Sequence, residues 1–417
     1  MPNLVIGFQI SGKQPLAGLA VLMFTGGLCA QSLMPVSGPG GTVRLFASDA
    51  AILESQESRK DLPCTVTPNK PVLGFDLRFH SGYEVSVSLK DLAGSENLLT
   101  MVFRVTPQDH PDEPVYLAQH VGVPAITDDE KGPAYLQGYF DVGEGKYHVD
   151  WLMRDRSERV CSSNWDIEAT LPAKDKQMPL DIAASLVVPA DNEPFRQEPP
   201  VERIAHDAPP LNVKVMVNFA PQDSGSATLQ PLDTNALISI LRNIAREPRI
   251  YKFSVVAFNM QEQRVVYRQD GASQIDFPAL GKALSSLNLG TVDLKRLSQK
   301  HGDSEFLGNL IATELKDDKA PADAVIFAGP KVVLDDGIPQ DTLKQLSDVK
   351  MPVFYMNYNL NPQSNPWRDA IGNTVKYLKG NEYTISRPRD LFFSWTEIIG
   401  RIVKLKFGKS APSSAAQ

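Results

Sequence analysis

The 417-residue chain carries 49 acidic and 42 basic residues, a formal charge of −7, and 42% of it is apolar. That length suits two or three globular domains, with apolar residues enough for a core in each. A mildly acidic balance without a basic patch argues against nucleic acid as a partner.

At the N-terminus, Lys13 precedes an apolar run from Pro15 to Phe24, followed by TGGLCAQ. This is the pattern of a secretory signal over residues 1–30, cleaved near Ala30. An uncleaved anchor is the alternative, although the run is short for a membrane span. Leu28 stands before Cys29 where a lipoprotein signal needs a small residue, so lipidation is not expected. Beyond the signal no stretch is long and apolar enough to span a membrane. The chain is therefore expected to be exported, to the periplasm, the cell surface or the medium.

Two cysteines remain after cleavage, Cys64 and Cys161. They read either as one disulfide tying the start of the first domain to its end, or as two free buried thiols. Neither sits in a CxxC or a Cys/His cluster, so zinc is not expected.

From residue 43 to 172 the texture is β. PVLGFDLRF, YEVSVSLKDL, LLTMVFRVTP, AYLQGYFDV, KYHVDWLMRD and WDIEATL are short runs rich in β-branched and aromatic residues. In YEVSVSL the alternation places Tyr83, Val85, Val87 and Leu89 on one face. Turn residues between the runs predict an antiparallel sandwich. DVGEGKYHVDW reads as a hairpin that puts Tyr147, Val149 and Trp151 on one face, with Trp151 and Trp165 as core aromatics. Residues 186–210 are rich in proline and acids and read as a linker.

From 211 to 407 strands and helices alternate. NVKVMVNF, YKFSVVAFN, ADAVIFAG and MPVFYMNYN are apolar strands, with RVVYR an edge strand beside the second. DTNALISILRNIARE predicts a helix capped by Asp233 or Thr234, and DSEFLGNLIATEL another capped by Asp303 or Ser304. FPALGKALSSL, PQDTLKQLSD, NPWRDAIGNTVKYL and RPRDLFFSWTEIIGRIVKLKF supply further helices, and NEYTIS a short strand. This order predicts a mostly parallel, doubly wound α/β sheet with helices on both faces. Residues 408–417 are expected to be a disordered tail. The expected fold class is thus multidomain, an antiparallel β-sandwich followed by a doubly wound α/β domain.

The second half resembles a von Willebrand factor A domain. The resemblance rests on the element order, on the LGTVDL loop, on ADAVIFAG, and on the closing pattern KGNEYTISRPRDLFFSWTEIIGRI. The first half resembles immunoglobulin-like sandwiches, and the combination resembles exported bacterial proteins with von Willebrand A-related domains. The family implies a Mg²⁺ site built from an Asp-x-Ser-x-Ser loop, a Thr and a further Asp. Here those positions fall on Asn218, Ala220 and Gln222, on Thr291, and on Ala328 or Gly329. Thr291 alone is a suitable ligand, and Mg²⁺ is ordinarily held through one or two carboxylates. A rearranged site would draw on Asp223, Thr291 and Asp293. Asp223, Ser224 and Ser226 lie too late for the motif, and with Asp293, Asp335 and Asp336 they read as turn and cap residues. No metal and no cofactor is expected.

Nor does an enzyme emerge. The six histidines, His80, His110, His120, His148, His206 and His301, form no metal-binding pair. His301, Asp303 and Ser304 are adjacent, which suits a turn and a helix start better than a catalytic triad. GxSxG, Walker A and GxGxxG motifs are missing. The sequence therefore leads to an exported, non-enzymatic protein that contacts an unidentified protein partner. The alternatives are a metal-dependent adhesion module with a rearranged site, or a hydrolase with an unrecognised one.

Overall fold

In a computed structural model of the protein the described residues are 32–34, 45–191, 193–203, 210–223, 226–289, 301–316, 321–334, 337–364 and 366–408. The expected secretory signal and the tail from 409 onward lie outside them. The chain divides after Glu193 into two compact units.

The N-terminal unit runs β1 (Ser32–Met34), α1 (Ala47–Ser55), β2 (Cys64–Leu73), β3 (Phe79–Ser88), α2 (Leu89–Leu92), β4 (Asn97–Pro107), β5 (Val115–Val123), β6 (Pro133–Val142), β7 (Gly145–Arg154), β8 (Val160–Ala169) and β9 (Val187–Pro189). Its strands form two sheets, β1-β5-β4-β7-β8 and β2-β3-β6-β9. Every pairing in them is antiparallel. The period-2 alternation of β3 buries Tyr83, Val85 and Val87 and leaves Glu84 and Ser86 half-buried on the other face. Tyr83 joins the two sheets. Its ring meets Trp151 at 5.1 Å and Phe103 at 5.6 Å, and its hydroxyl donates to Gln119 Oε1 at 3.1 Å. Gly138 makes room for it, since a Cβ there would stand 2.4 Å from the Tyr83 ring. Each such buried aromatic contributes roughly 1.5–3 kcal/mol. Helix α1 is held to the five-stranded sheet by Arg154 to Asp49 and by Arg104, which pairs with Asp150 at 2.8 Å and donates to the Leu53 carbonyl.

Cys64 and Cys161 are disulfide-bonded, with their Cα atoms 6.3 Å apart. The bond joins β2, at one edge of the four-stranded sheet, to β8, at one edge of the five-stranded sheet.

Much of residues 186–203, expected as part of a free linker, is structured. Val187–Pro189 is β9, paired with β6. Residues 194–203 belong to the C-terminal unit as a strap: Phe195 packs where any side chain on Gly281 would stand, Gln197 donates to Ile275 O, and Arg203 donates to Glu247 O. Glu198 bridges Arg242 and Arg246 at 2.9 and 2.7 Å. Proline stiffness is retained, but the segment spends it on docking rather than on reach.

The rest of the C-terminal unit runs β10 (Leu211–Asn218), α3 (Pro231–Ala245), β11 (Ile250–Asn259), β12 (Arg264–Ala272), α4 (Phe277–Leu284), α5 (Gly302–Leu315), β13 (Ala324–Pro330), α6 (Gln340–Lys344), β14 (Val353–Tyr358), α7 (Ala370–Tyr377), β15 (Asn381–Ile385) and α8 (Pro388–Phe407). The sheet order is β12-β11-β10-β13-β14-β15. Four of its pairings are parallel and β11–β12 is antiparallel. β13 and β14 are buried along their whole length, as their unbroken apolar runs require. On one face Met216, Val256, Phe327 and Tyr355 pack with Leu307 and Ile311 of α5 and Ile371 and Val375 of α7. Lys214, 1% exposed, donates to Glu314 Oε2 at 3.1 Å and to Glu314 O at 3.0 Å, and Arg268 pairs with the other carboxylate oxygen.

The expected fold class, with a doubly wound α/β domain of von Willebrand A type, is corrected by these sheets. Among the described residues the fold is mainly β, 36% strand against 26% helix over three sheets, two of them wholly antiparallel and the third mixed. The physical causes are local. The turn at Gln261–Gln263 returns the chain straight into antiparallel β12 with no helical crossover, and α6 has only five residues. The expected caps also differ. α3 begins after Gln230 with Pro231 in its first turn, and α5 after His301, with no side-chain cap at either.

Joining Cys64 to Cys161, 97 positions apart, restricts the unfolded chain. Replacing both by Ser is expected to lower the stability of the N-terminal unit by about 2–5 kcal/mol. Urea unfolding of the full chain with and without reductant checks this, the reduced wild type matching the variant.

Candidate functional site

In a parallel sheet the carboxyl ends of the strands are where ligands usually bind, because the loops there vary without disturbing the ladder. In the C-terminal unit this edge is formed by the ends of β10, β11, β13 and β14. Asn218, Asn259, Asn357 and Asn359 stand there, all buried. Asn218 Oδ1 accepts from Met260 N at 3.3 Å, and Asn259 joins Phe219 O at 2.6 Å to Glu262 N at 2.7 Å. Asn357 Nδ2 donates to Glu382 Oε1 at 3.0 Å. The Asn218 and Asn259 amides thus fasten the end of β10 to the end of β11, and Asn357 fastens β14 to β15.

Gly329 explains why this edge is bare of side chains beside Asn218. It has φ +146, and a Cβ on it would lie 2.8 Å from Asn218 Cβ and 2.9 Å from Asn218 O. Neither the backbone angle nor the space admits a carboxylate at that position.

Two buried carboxyls lie nearby, and both are engaged. Asp233 accepts from Gln222 N at 3.4 Å and lies beside the Tyr358 hydroxyl; burial pushes its pKa up, and burial with Asp233 beside it pushes Tyr358 up as well. Asp369 accepts from Val332 N at 2.7 Å, Gly372 N at 2.8 Å and Tyr355 OH at 3.0 Å. Burial raises the Asp369 pKa, against the backbone donors that favour the charged form. Asp369 is also the N-cap of α7, so the helix that sequence places from Asn365 onward starts later, at Ala370.

Asp369 braces two loops from beneath. Its bond to Val332, the bond from Ala370 N to Val332 O at 3.0 Å, and Lys331 Nζ donating to Trp367 O fix the loop after β13 against the loop before α7. At their tips Trp367 is 79% and Val333 75% exposed. These two residues had no signal in the sequence, where NPWRD reads as a helix start.

Of the rearranged metal candidates, Asp223 lies in the loop after β10, where its carbonyl accepts from Ser226 N at 3.0 Å. Thr291 and Asp293 lie outside the described residues, as do Ser224, Asp335 and Asp336. Among the described residues no group of three His, Cys, Asp or Glu side chains is placed to hold a metal ion. His301, Asp303 and Ser304 do not assemble as a triad. Ser304 Oγ donates to the His301 carbonyl at 3.0 Å, and Asp303 accepts from Gln263.

The N-terminal unit holds a cluster that sequence reading missed. His80 Nδ1 donates to Asp141 Oδ1 at 2.7 Å and Nε2 to Asp76 Oδ1 at 3.0 Å. Burial alone would lower the imidazole pKa, but the two carboxylates outweigh it and hold it up at about 10. Arg78, paired with Asp181 and 3.8 Å from Asp141, completes the cluster. The pairing of Asp76 with His80 four residues on was a signal available in the sequence; that with Asp141 was not. Held charged between two carboxylates, His80 serves as a structural cation.

Among the described residues no helix is long and apolar enough to cross a membrane. No family model matches the chain, and no curated protein matches it. Among solved structures it is similar to a point variant of the PilB minor pilin from Streptococcus sanguinis, at 8% identity and TM-score 0.30, over 74% of this chain and 90% of that one. It is also similar to a β-glucuronidase from Bacteroides uniformis, at 11% identity and TM-score 0.18, over 73% of this chain and 39% of that one. Likenesses this slight carry no inference about fold or activity.

Two outcomes follow from this geometry. Gly329→Ala is expected to cost about 1–3 kcal/mol through strain and the clash with Asn218, read as a lowered urea midpoint of the C-terminal unit. His80 has a folded pKa of about 10 against about 6.5 unfolded, so its stabilisation is complete below pH 6.5 and is lost as pH rises toward 10. His80→Gln is expected to flatten the fall in unfolding midpoint of the N-terminal unit between pH 7 and 10.

Proposed function

We propose that the protein is an exported, non-enzymatic module that binds a protein partner at the strand-end edge of its six-stranded sheet. The observation that carries this reading is the exposure of Trp367 and Val333 on loops tied together through Asp369. A large aromatic left in water at the tip of a braced loop serves no core. Trp is over-represented among the residues that dominate interface energetics, and a loop already fixed gives up less entropy on binding. The buried carboxyls of this edge support the same reading, because Asp233 is occupied with a backbone N–H and Asp369 with backbone and phenol groups rather than facing solvent. The Cys64–Cys161 disulfide suits an oxidising compartment outside the cytoplasm. The net charge of −7 disfavours nucleic acid as the partner.

Site-specific photocrosslinking in the native host tests the proposal. A photoreactive residue at 367 or 333 is expected to give one discrete protein adduct, unchanged by EDTA, while the same residue at exposed Tyr377 gives none. Trp367→Ala is expected to weaken binding to that protein at least tenfold with an unaltered melting temperature. Equal labelling from all three positions would defeat the proposal. Loss of the adduct in EDTA, restored by Mg²⁺ but not in Asp223→Ala or Asp293→Ala, would favour a metal-dependent adhesion module instead.

A further inference from the structure

The five-stranded sheet of the N-terminal unit ends at β1, and β1 covers only part of β5. Its three residues pair with Tyr116, Leu117 and Ala118. Among the described residues no strand pairs with Gln119–Val123 on that side. On the other side β4 holds the same five residues in unbroken register, from Met101 with Gln119 to Asn97 with Val123. This part of β5 therefore turns main-chain N–H and C=O groups outward, a ladder on which a further strand can pair.

Other sheet edges are guarded. β2 carries Pro68, Lys70 and Pro71, and its register shifts between Asn69 and Val72. β12 carries Arg264, Arg268 and Asp270, and its pairing shifts at two places. β8 is bonded at one end through Arg59 O and Leu62 N and carries Asp166 and Glu168 at the other. On β6, beyond the reach of β9, the Gln137 carbonyl accepts from Gln119 Nε2 at 3.3 Å. QHVGV, residues 119 to 123, has no charge, no proline and no shift of register. Its outer-face side chains leave the edge clear. His120 meets Thr100 Oγ1 at 3.1 Å, on β4 and so away from the edge, and a Cβ on Gly122 would touch nothing within 4 Å. Val121 and Val123 face the core, buried.

We propose that Gln119–Val123 pairs antiparallel with the same five residues of a second copy of this chain, joining two five-stranded sheets into one. An open ladder fixes the class of ligand as an extended strand, and the side chains select the copy. With the twofold axis at Val121, Val121 meets Val121 on the core side, and His120 on the outer side meets Gly122, a position with no side chain to oppose it. Neither strand carries a charge, so two acidic chains can meet here without like charges directly opposite. A foreign strand would be sorted by complementary charge, and this edge presents none. Pro124 follows at once and lacks an N–H, so the ladder stops and the contact closes as an isologous pair. The chain's own preceding residues are the competing occupant. The register of β1 carried backwards sets Cys29 opposite Val121, but the expected cleavage near Ala30 removes that residue. This inference does not depend on the strand-end edge of the other unit.

Sedimentation velocity of the full exported chain over a concentration series tests it, with a dimer as the expected result. Gly122→Lys gives the edge a charge and is expected to weaken self-association about tenfold with an unaltered melting temperature. Mixing His120→Cys chains with Gly122→Cys chains under mild oxidation is expected to give a covalent dimer that neither variant gives alone. If Gly122→Lys melts lower, this mixed cross-link decides, and its absence overturns the proposal. A chain that stays monomeric at every concentration overturns it, as does a dimer equally stable in Gly122→Lys. A disulfide within one chain between Cys29 and Val121→Cys would show the edge covered by the chain's own residues, and would overturn it too.

Discussion

The strand-end edge of the C-terminal unit is governed by how closely β13 approaches β10. Their parallel ladder runs in register from Val213 with Ala324 to Val217 with Ala328, and the next residue, Gly329, has no space for a side chain against Asn218. A carboxylate cannot be placed there. The polar groups that remain at the edge therefore turn to one another and to the backbone. Asn218 and Asn259 tie the end of β10 to that of β11, Asn357 ties β14 to β15, Asp233 takes a main-chain N–H, and Asp369 takes a phenol and main-chain N–H groups. A tight contact between two strands thus keeps a carboxylate off the end of β13; among the described residues most polar groups of the edge turn to one another, with Asn357 Oδ1 left without a hydrogen-bond partner, and Trp367 and Val333 are what it offers outward.

The two units solve the same problem of burying charge by different means. In the sandwich, His80 is kept cationic by two carboxylates near the surface, and Arg104 and Arg154 pin α1 with Asp150 and Asp49. In the mixed sheet the ion cluster of Lys214, Glu314 and Arg268 lies deeper, with Lys214 and Glu314 almost wholly removed from water. Such a cluster adds little net stability over apolar residues of the same size, but removing one member would strand the others, typically at a cost of about 3–5 kcal/mol.

Much of this was legible in the sequence where periodicity is strong. Alternation in YEVSVSL marked the inner face of β3, and unbroken apolar runs marked β13 and β14. Less was legible where structure depends on pairing distant segments. The docking of residues 194–203 depends on Glu198 meeting Arg242 and Arg246, and proline content alone suggested a tether. Trp367 looked like the start of a helix because its exposure is set by Asp369, which caps α7 and simultaneously holds Val332. The outer face of β6 was visible as alternation, but not that Gly82 would lie opposite Tyr139, since register between strands is not written in either strand alone. The fold class itself was misjudged by weighing one half's strand and helix order above the β content of the whole.

The cross-link between β2 and β8 has a mechanical side. Because Cys64 and Cys161 are covalently joined, tension applied along the chain passes directly from one to the other and bypasses the strands between them. Those 97 positions of chain, roughly 330 Å if drawn out fully, cannot be extended while the bond is intact. A load borne by this protein would peel the segments outside the loop and leave most of the sandwich folded.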